Sequence, residues 1–235
     1  MKSCFQINFK GFTLIEIMVV LTISGILLSG IVMFFTNQQK SFINTTRVSE
    51  MQQNIRAATI IMSAEIREAG CDPTENTNAG IISATVSQLH FTRDIIGDTV
   101  LPNKADGELN DANEDITFGF SQANDANSDG IADAGAADLG RNTGGAFQPI
   151  AENIHAVEFN YILEDGTRTT APSAFQLPLI RSVQISILAR ESARDKDFFN
   201  TIAYTTGSGA VWGPFNDNFK RRFTTVTIQC RNLGI

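Results

Sequence analysis

The chain has 235 residues, 43% of them hydrophobic, with 18 basic residues against 25 acidic and three cysteines; this excludes a disordered chain and a disulfide scaffold. A formal charge of −7 and a pI of about 4.8 weigh against a nucleic-acid binder, whose footprint is a basic patch, and point to a cation or a membrane as partner. With only His90 and His155 as histidines, few parts exist for histidine catalysis or a His-rich metal centre, and no catalytic residue is assigned.

The first element is apolar. Phe12 to Phe35 reads FTLIEIMVVLTISGILLSGIVMFF, and no Lys or Arg occurs from Gly11 to Gln39. As a helix this segment reaches roughly 36 Å, enough to cross a hydrocarbon core of about 30 Å with some tilt. Lys2 and Lys10 precede it with no acid before Glu16, which places residues 1–11 in the cytoplasm and the remainder outside. A secretory signal needs a shorter apolar core and a small-residue cleavage site, and Thr36 to Lys40 has no A-x-A pattern. A plain signal anchor leaves Glu16 unexplained, because a carboxylate near the start of a membrane helix costs about 2 to 3 kcal/mol or more and calls for a partner.

Lys10-Gly11-Phe12-Thr13-Leu14-Ile15-Glu16 resembles the processing site of type IV prepilins and type II secretion pseudopilins: a short basic leader ending in Gly, then Phe, then Glu four residues on. The resemblance implies that a membrane prepilin peptidase cuts after Gly11 and methylates the new amine of Phe12. The chain is then a substrate and not an enzyme, with residues 1–11 as leader and 12–35 as the membrane half of a long helix. Glycine at the scissile position leaves the backbone open to a protease. The Phe12 amine of one subunit and Glu16 of its neighbour compensate each other as buried charges only in an assembled filament, which fixes axial register. Gly25 and Gly30 weaken the helix by about 1 kcal/mol each relative to Ala. The proline that often interrupts this segment in major pilins is absent between Phe12 and Phe35.

From Thr36 to Ala69 there is neither Pro nor Gly, and Val48, Met51, Ile55, Ala58, Met62, Ile66 and Ala69 recur at spacings of three and four. This predicts an amphipathic helix over 36–70 that continues the membrane span, packs on a globular head, and ends at Gly70 with Pro73 behind it. A coiled-coil stalk is the alternative. Beyond Cys71 the period becomes two: Val157, Phe159, Tyr161 and Leu163 alternate along one run, Val183, Ile185, Ile187 and Ala189 along a second, and Val226, Ile228 and Cys230 along a third. Leu89 to Thr92 and Ile116 to Phe120 are shorter candidates. The predicted fold class is α+β and pilin-like, an antiparallel sheet head over 71–235 burying one face against the helix.

Gln148 to Ile154, Phe159-Asn160-Tyr161 with Glu164-Asp165-Gly166, Val183 to Arg190, Lys220 to Phe223 and Arg231-Asn232-Leu233 are similar to the PilW family of minor pilins. The J-type minor pseudopilin of type II secretion is the near relative. The family implies a role in priming pilus assembly at or near the filament tip.

Between Asp94 and Asp138 lie 11 of the 25 acids and one base, Lys104, a solvated loop or a cation site. Within it Asp125, Asn127, Asp129, Gly130, Ile131 and Asp133 follow the first nine positions of a calcium loop, in which alternate oxygens surround a hard cation, glycine makes the sharp turn and the Ile131 carbonyl adds a ligand. The bidentate Glu expected at the twelfth position is Ala136, which leaves Asp138 or water to complete the shell. Asp111, Asn113 and Asp115 form a second, partial pattern without the glycine. Removal of the leader discards Cys4 and leaves Cys71 and Cys230, which in an exported protein suggests a disulfide, with two free thiols as the alternative. Lys220, Arg221 and Arg222 form the one strong basic run, read as a solvated strand entrance facing acids, with a DNA-binding tip as the rival. His90 and His155 are expected at the surface or at a strand edge.

The expectation is a single-pass inner-membrane protein, N-terminus cytoplasmic and head periplasmic, that joins a pilus at the cell surface. Its partners are prepilin peptidase, other minor and major pilins, the inner-membrane assembly platform and the membrane, with no nucleic acid and calcium as the one candidate cofactor. A minor pseudopilin and an anchored calcium-dependent adhesin are the alternatives; an anchored hydrolase lacks a recognisable nucleophile and base.

Overall fold

A computed structural model describes residues 11–97 and 104–234. The leader residues 1–10, with Lys2, Cys4 and Lys10, and part of the acidic loop lie outside the described residues. One helix, α1 (Leu14–Ile66), runs unbroken for 53 residues, as the absence of proline throughout and of glycine beyond Gly30 allows. Its last α-helical residue comes a turn earlier than the apolar spacing predicts. The chain leaves through tighter turns, Ala69 N–H to Ile66 O and Cys71 N–H to Glu68 O, and Gly70 adopts a φ of +76° that favours glycine.

The chain forms two compact units, Met1–Thr46 and Arg47–Ile235, so the boundary falls inside α1 and beyond the expected membrane limit at Phe35. In the first unit the large apolar side chains of the helix are all exposed, from Leu14 to Ile43. This is the one described helix long and apolar enough to cross a membrane.

The second unit is built on strands β1 (Ile81–Ala84), β2 (Gln88–Thr92), β3 (Asp115–Gly119), β4 (Ala137–Asn142), β5 (Gln148–Leu163), β6 (Arg168–Thr169), β7 (Ile180–Arg190), β8 (Tyr204–Thr205), β9 (Val211–Trp212) and β10 (Arg221–Gln229). The main sheet has the order β1-β2-β3-β4-β5-β7-β10, with β6 paired on the end of β5 and every pair antiparallel. Met51, Ile55, Ala58, Met62 and Ile66, one face of α1, are buried in a single core with Val157, Phe159 and Tyr161 of β5 and Val183, Ile185 and Ile187 of β7. The alternation in the sequence thus identifies the helix-facing side of the sheet.

The other side of the sheet is also covered. Ala156 of β5 and Leu188 of β7 form a second apolar cluster with Tyr204 and Trp212 of the β8–β9 hairpin, backed by Phe215 and Phe223. Glu158, on that same face, is buried because the hairpin satisfies it: Thr206 and Ser208 donate hydroxyl bonds of 2.8 and 2.9 Å, and the Ser208 N–H donates at 3.1 Å. A buried carboxylate persists when its acceptors are filled. The expected one-sided sheet is therefore two-sided around β5 and β7. On the β2–β4 side of α1, Glu65 pairs with Arg141 at 2.8 Å and with Arg93 at 3.5 Å, and Glu68 also pairs with Arg93.

Candidate functional site

The helix begins with a reciprocal cap. The backbone N–H and the hydroxyl of Thr13 each donate to Glu16 Oε2 at 2.9 Å, and the Glu16 N–H donates to Thr13 Oγ1 at 3.3 Å. The first helical bond runs from Ile17 N–H to Thr13 O, which makes Thr13 the N-cap and Glu16 the third helical residue, the arrangement of a capping box. Glu16 also lies where the positive end of the helix dipole favours an anion. The capping role of Thr13 has its own signal in the sequence, the T-x-x-E spacing.

Gly11 and Phe12 precede this cap. A side chain on Gly11 would meet nothing within 4 Å, so packing does not require glycine there. Gly25 and Gly30 are equally open. Phe12 is 84% exposed.

The acidic loop closes on itself. Asp125 is buried; its Oδ1 accepts the Asp129 N–H at 3.1 Å and its Oδ2 the Gly130 N–H at 2.9 Å. Asp129 Oδ1 accepts the Ile131 N–H at 2.7 Å, Asn127 donates to Asp129 Oδ2 at 2.9 Å, and Asp133 Oδ2 accepts the Ala126 N–H at 3.0 Å. Gly130 has φ +82°, and a side chain there would collide with the Val157 carbonyl; its own oxygen accepts the Val157 N–H at 2.8 Å, which pins the loop to β5. Burial pushes the Asp125 carboxyl above its ordinary range, against the pull of the Gly130 and Asp129 amides.

The residues of the expected calcium set, Asp125, Asn127, Asp129, Ile131 and Asp133, are tied together by hydrogen bonds within the loop. Among the described residues no three His, Cys, Asp or Glu side chains converge to hold a metal. Carboxylate oxygens of the loop accept its own amides, the pattern of an Asx turn. The second pattern is divided: Asp115 pairs with His90, while Glu114, which the pattern passed over, is buried with Oε1 accepting the Ile95 and Ile96 amides.

The disulfide expectation is corrected, since Cys71 and Cys230 are free thiols. Cys230 is a member of the helix-facing core, and burial pushes its thiol up to about 12. Cys71 is half-buried on the loop after α1, raised by burial and then by the charges of Glu68 and Asp94.

Two residues of the basic run face acids, while Arg222 is exposed. Lys220 pairs with Asp195, and Arg221 makes two bonds of 2.7 Å to the Asp217 carboxylate. His155 departs from expectation: it is buried, with its ring 4.3 Å from that of Phe215 and Nδ1 3.2 Å from Arg221 Nε. Burial, then the Arg221 and Arg190 charges, push it down to about 3.

Residues 7–32 match the family described as the prokaryotic N-terminal methylation motif. Together with the long apolar helix and the antiparallel sheet, this defines a type IV prepilin-like protein. Among solved structures, a type IV-like pilin from Thermus thermophilus aligns with a TM-score of 0.46 and 15% identity, over 78% of this chain and 98% of that one. No curated protein matches the chain.

Proposed function

We propose that the chain is a minor pilin of the PilW type, cut after Gly11 by prepilin peptidase, methylated at Phe12, and built into a type IV pilus at or near its tip. The observation that carries this reading is the motif match over residues 7–32, with Glu16 already oriented by Thr13 at the start of an exposed apolar helix. Cleavage leaves the Phe12 amine one residue before the cap. Inside a bilayer the amine and the Glu16 carboxylate are each costly alone, and pairing the amine of one subunit with the carboxylate of the next offsets both. The head is then periplasmic, the N-terminus cytoplasmic, and the partners are other minor and major pilins and the inner-membrane assembly platform.

The stretches similar to PilW support the finer reading by their placement: Gln148 to Ile154 and Phe159 to Tyr161 lie on β5, Val183 to Arg190 on β7 and Arg221 to Phe223 on β10, three adjacent strands. A minor pseudopilin shares this N-terminal chemistry, and deletion separates the two by loss of pili or of secretion. The adhesin alternative rests on the acidic loop, and deleting Asp125 to Asp133 separates it, since an adhesin loses binding and still makes filaments. The test is the mass of the N-terminal peptide from the native host. Methylated Phe12 at the start supports the prepilin route; an intact Met1, or cleavage beyond Ser29, overturns it.

A further inference from the structure

The two edges of the main sheet are not alike. The β1 edge is four residues long, carries a register irregularity between Ile81 and Ser83, and lies against the 3₁₀ turn Leu177–Leu179; short, bulged and covered edges resist pairing. The β10 edge pairs with β7 through nine consecutive residues without a register shift. From Phe223 to Gln229 it reads FTTVTIQ, with no charge, proline or glycine. Among the described residues its outer backbone makes no hydrogen bond. A long, regular edge with an uncharged run from Phe223 to Gln229 is a template for another strand.

Beside this edge a groove of about 290 Å³ runs between α1 and β10, lined by Arg56 and Ile60 of the helix and by Arg222 and Thr224 of the strand. Ile60 is 60% exposed, and both arginines are exposed. Among the described residues neither has an acidic partner. At the other end of the seam the Arg231 N–H donates to the Arg67 carbonyl, and these two guanidinium groups are likewise exposed and unpaired. The opposite flank of the helix supplies the contrast, since its Glu65 and Glu68 are neutralised by Arg93 and Arg141.

We infer that the α1–β10 seam receives an extended acidic segment of another polypeptide, which adds as a strand to β10 and sets carboxylates against Arg56 and Arg222. Strand addition takes its affinity from main-chain bonds and its selectivity from alternate side chains, and opposite charge sets partner and register. A nucleic acid fits less well: phosphates accept hydrogen bonds but donate none to the β10 carbonyls, and a chain of net charge −7 repels a polyanion beyond the seam. Taking a neighbouring pilus subunit as the donor rests on the prepilin reading; the seam itself does not.

The test uses the full-length chain in detergent micelles and a short fluorescent peptide alternating Glu with Val and Thr, read by anisotropy. The acidic peptide is expected to bind, and its Lys counterpart not to. N-methylation of alternate backbone amides, and separately Arg56→Glu with Arg222→Glu, are each expected to weaken binding roughly tenfold or more. Arg56→Gln with Arg222→Gln, which retains much of the side-chain bulk, gives a smaller loss and guards against a folding defect. Absence of acidic-peptide binding, insensitivity to either change, or tighter binding of a single-stranded DNA of equal length overturns the proposal. Failure here leaves the N-terminal mass untouched, so it is distinguishable from failure of the prepilin reading.

Discussion

Glu16 and Thr13 hold each other at the start of α1, through two bonds of 2.9 Å into one carboxylate oxygen and one of 3.3 Å back to the hydroxyl. The residue expected to join subunits is therefore also a helix cap, and substitution to alanine removes both properties at once. Glutamine separates them, because the third position of a capping box accepts Gln as well as Glu. Glu16→Gln is expected to keep the first turn while losing the charge proposed to pair with the Phe12 amine of a neighbour. Amide exchange at Leu14 to Ile17 should stay near wild type, and recovery of the subunit in sheared filaments should collapse. Thr13→Val gives the converse, a first turn weakened by about 1 kcal/mol with the charge retained. Normal incorporation of Glu16→Gln would show that charge pairing is not what seats the subunit.

Asp125 is expected to be the most sensitive position of the acidic loop. Asp125→Ala strips the acceptors from the Asp129 and Gly130 amides, and Gly130 is buried against β5. The loss should be about 2 to 3 kcal/mol by urea denaturation. Asp129→Ala and Asp133→Ala, on exposed residues, should lose less. Calcium is expected to leave the melting temperature in place, since loop oxygens are already bonded to amides. A calcium-dependent rise that Asp125→Ala abolishes would mark the loop as a cation site.

His155 sets an acid limit on the head. Its folded-state value near 3, against 6.5 for the free side chain, means that the unfolded chain binds the proton more readily between those values. Its contribution is thus fully present above about pH 6.5 and lost as pH falls toward 3, with a slope of up to about 1.4 kcal/mol per pH unit. His155→Gln should flatten that part of the melting-temperature profile. A slope unchanged by the substitution would assign the acid sensitivity to other groups.

What the sequence disclosed depended on whether the signal was local. The apolar run after Gly11, the three-and-four spacing up to Ile66 and the alternation of Val157, Phe159 and Tyr161 each report one element's own periodicity, and each appears in the structure. The burial of Glu158 and His155 was not legible, because it depends on the segment from Glu191 to Phe219 folding over the back of the sheet. That segment contains only the two-residue strands β8 and β9, too short for periodicity to register. The acidic loop is ambiguous for a related reason: Asp-x-Asn-x-Asp-Gly suits a cation and equally suits a turn whose carboxylates accept its own amides. Sequence also omits distance, so two cysteines far apart in the chain suggested a bridge without showing one.

The thiols give a direct check on that last point. With both cysteines free, a denatured and unreduced mature chain should react with Ellman's reagent at Cys71 and Cys230 alike. In the native protein Cys230 should stay unreactive, since burial holds its thiol near 12 and nucleophilicity belongs to the thiolate. Cys71 is more open, yet burial and the charges of Glu68 and Asp94 raise it as well, so it should react slowly and faster at alkaline pH. Glu68→Gln removes one of those charges and should speed it. A bridge would reverse the pattern: the denatured chain would give no reaction before reduction, and reductant would lower the melting temperature, because closing a loop of this length contributes about 4 to 5 kcal/mol in the entropy model.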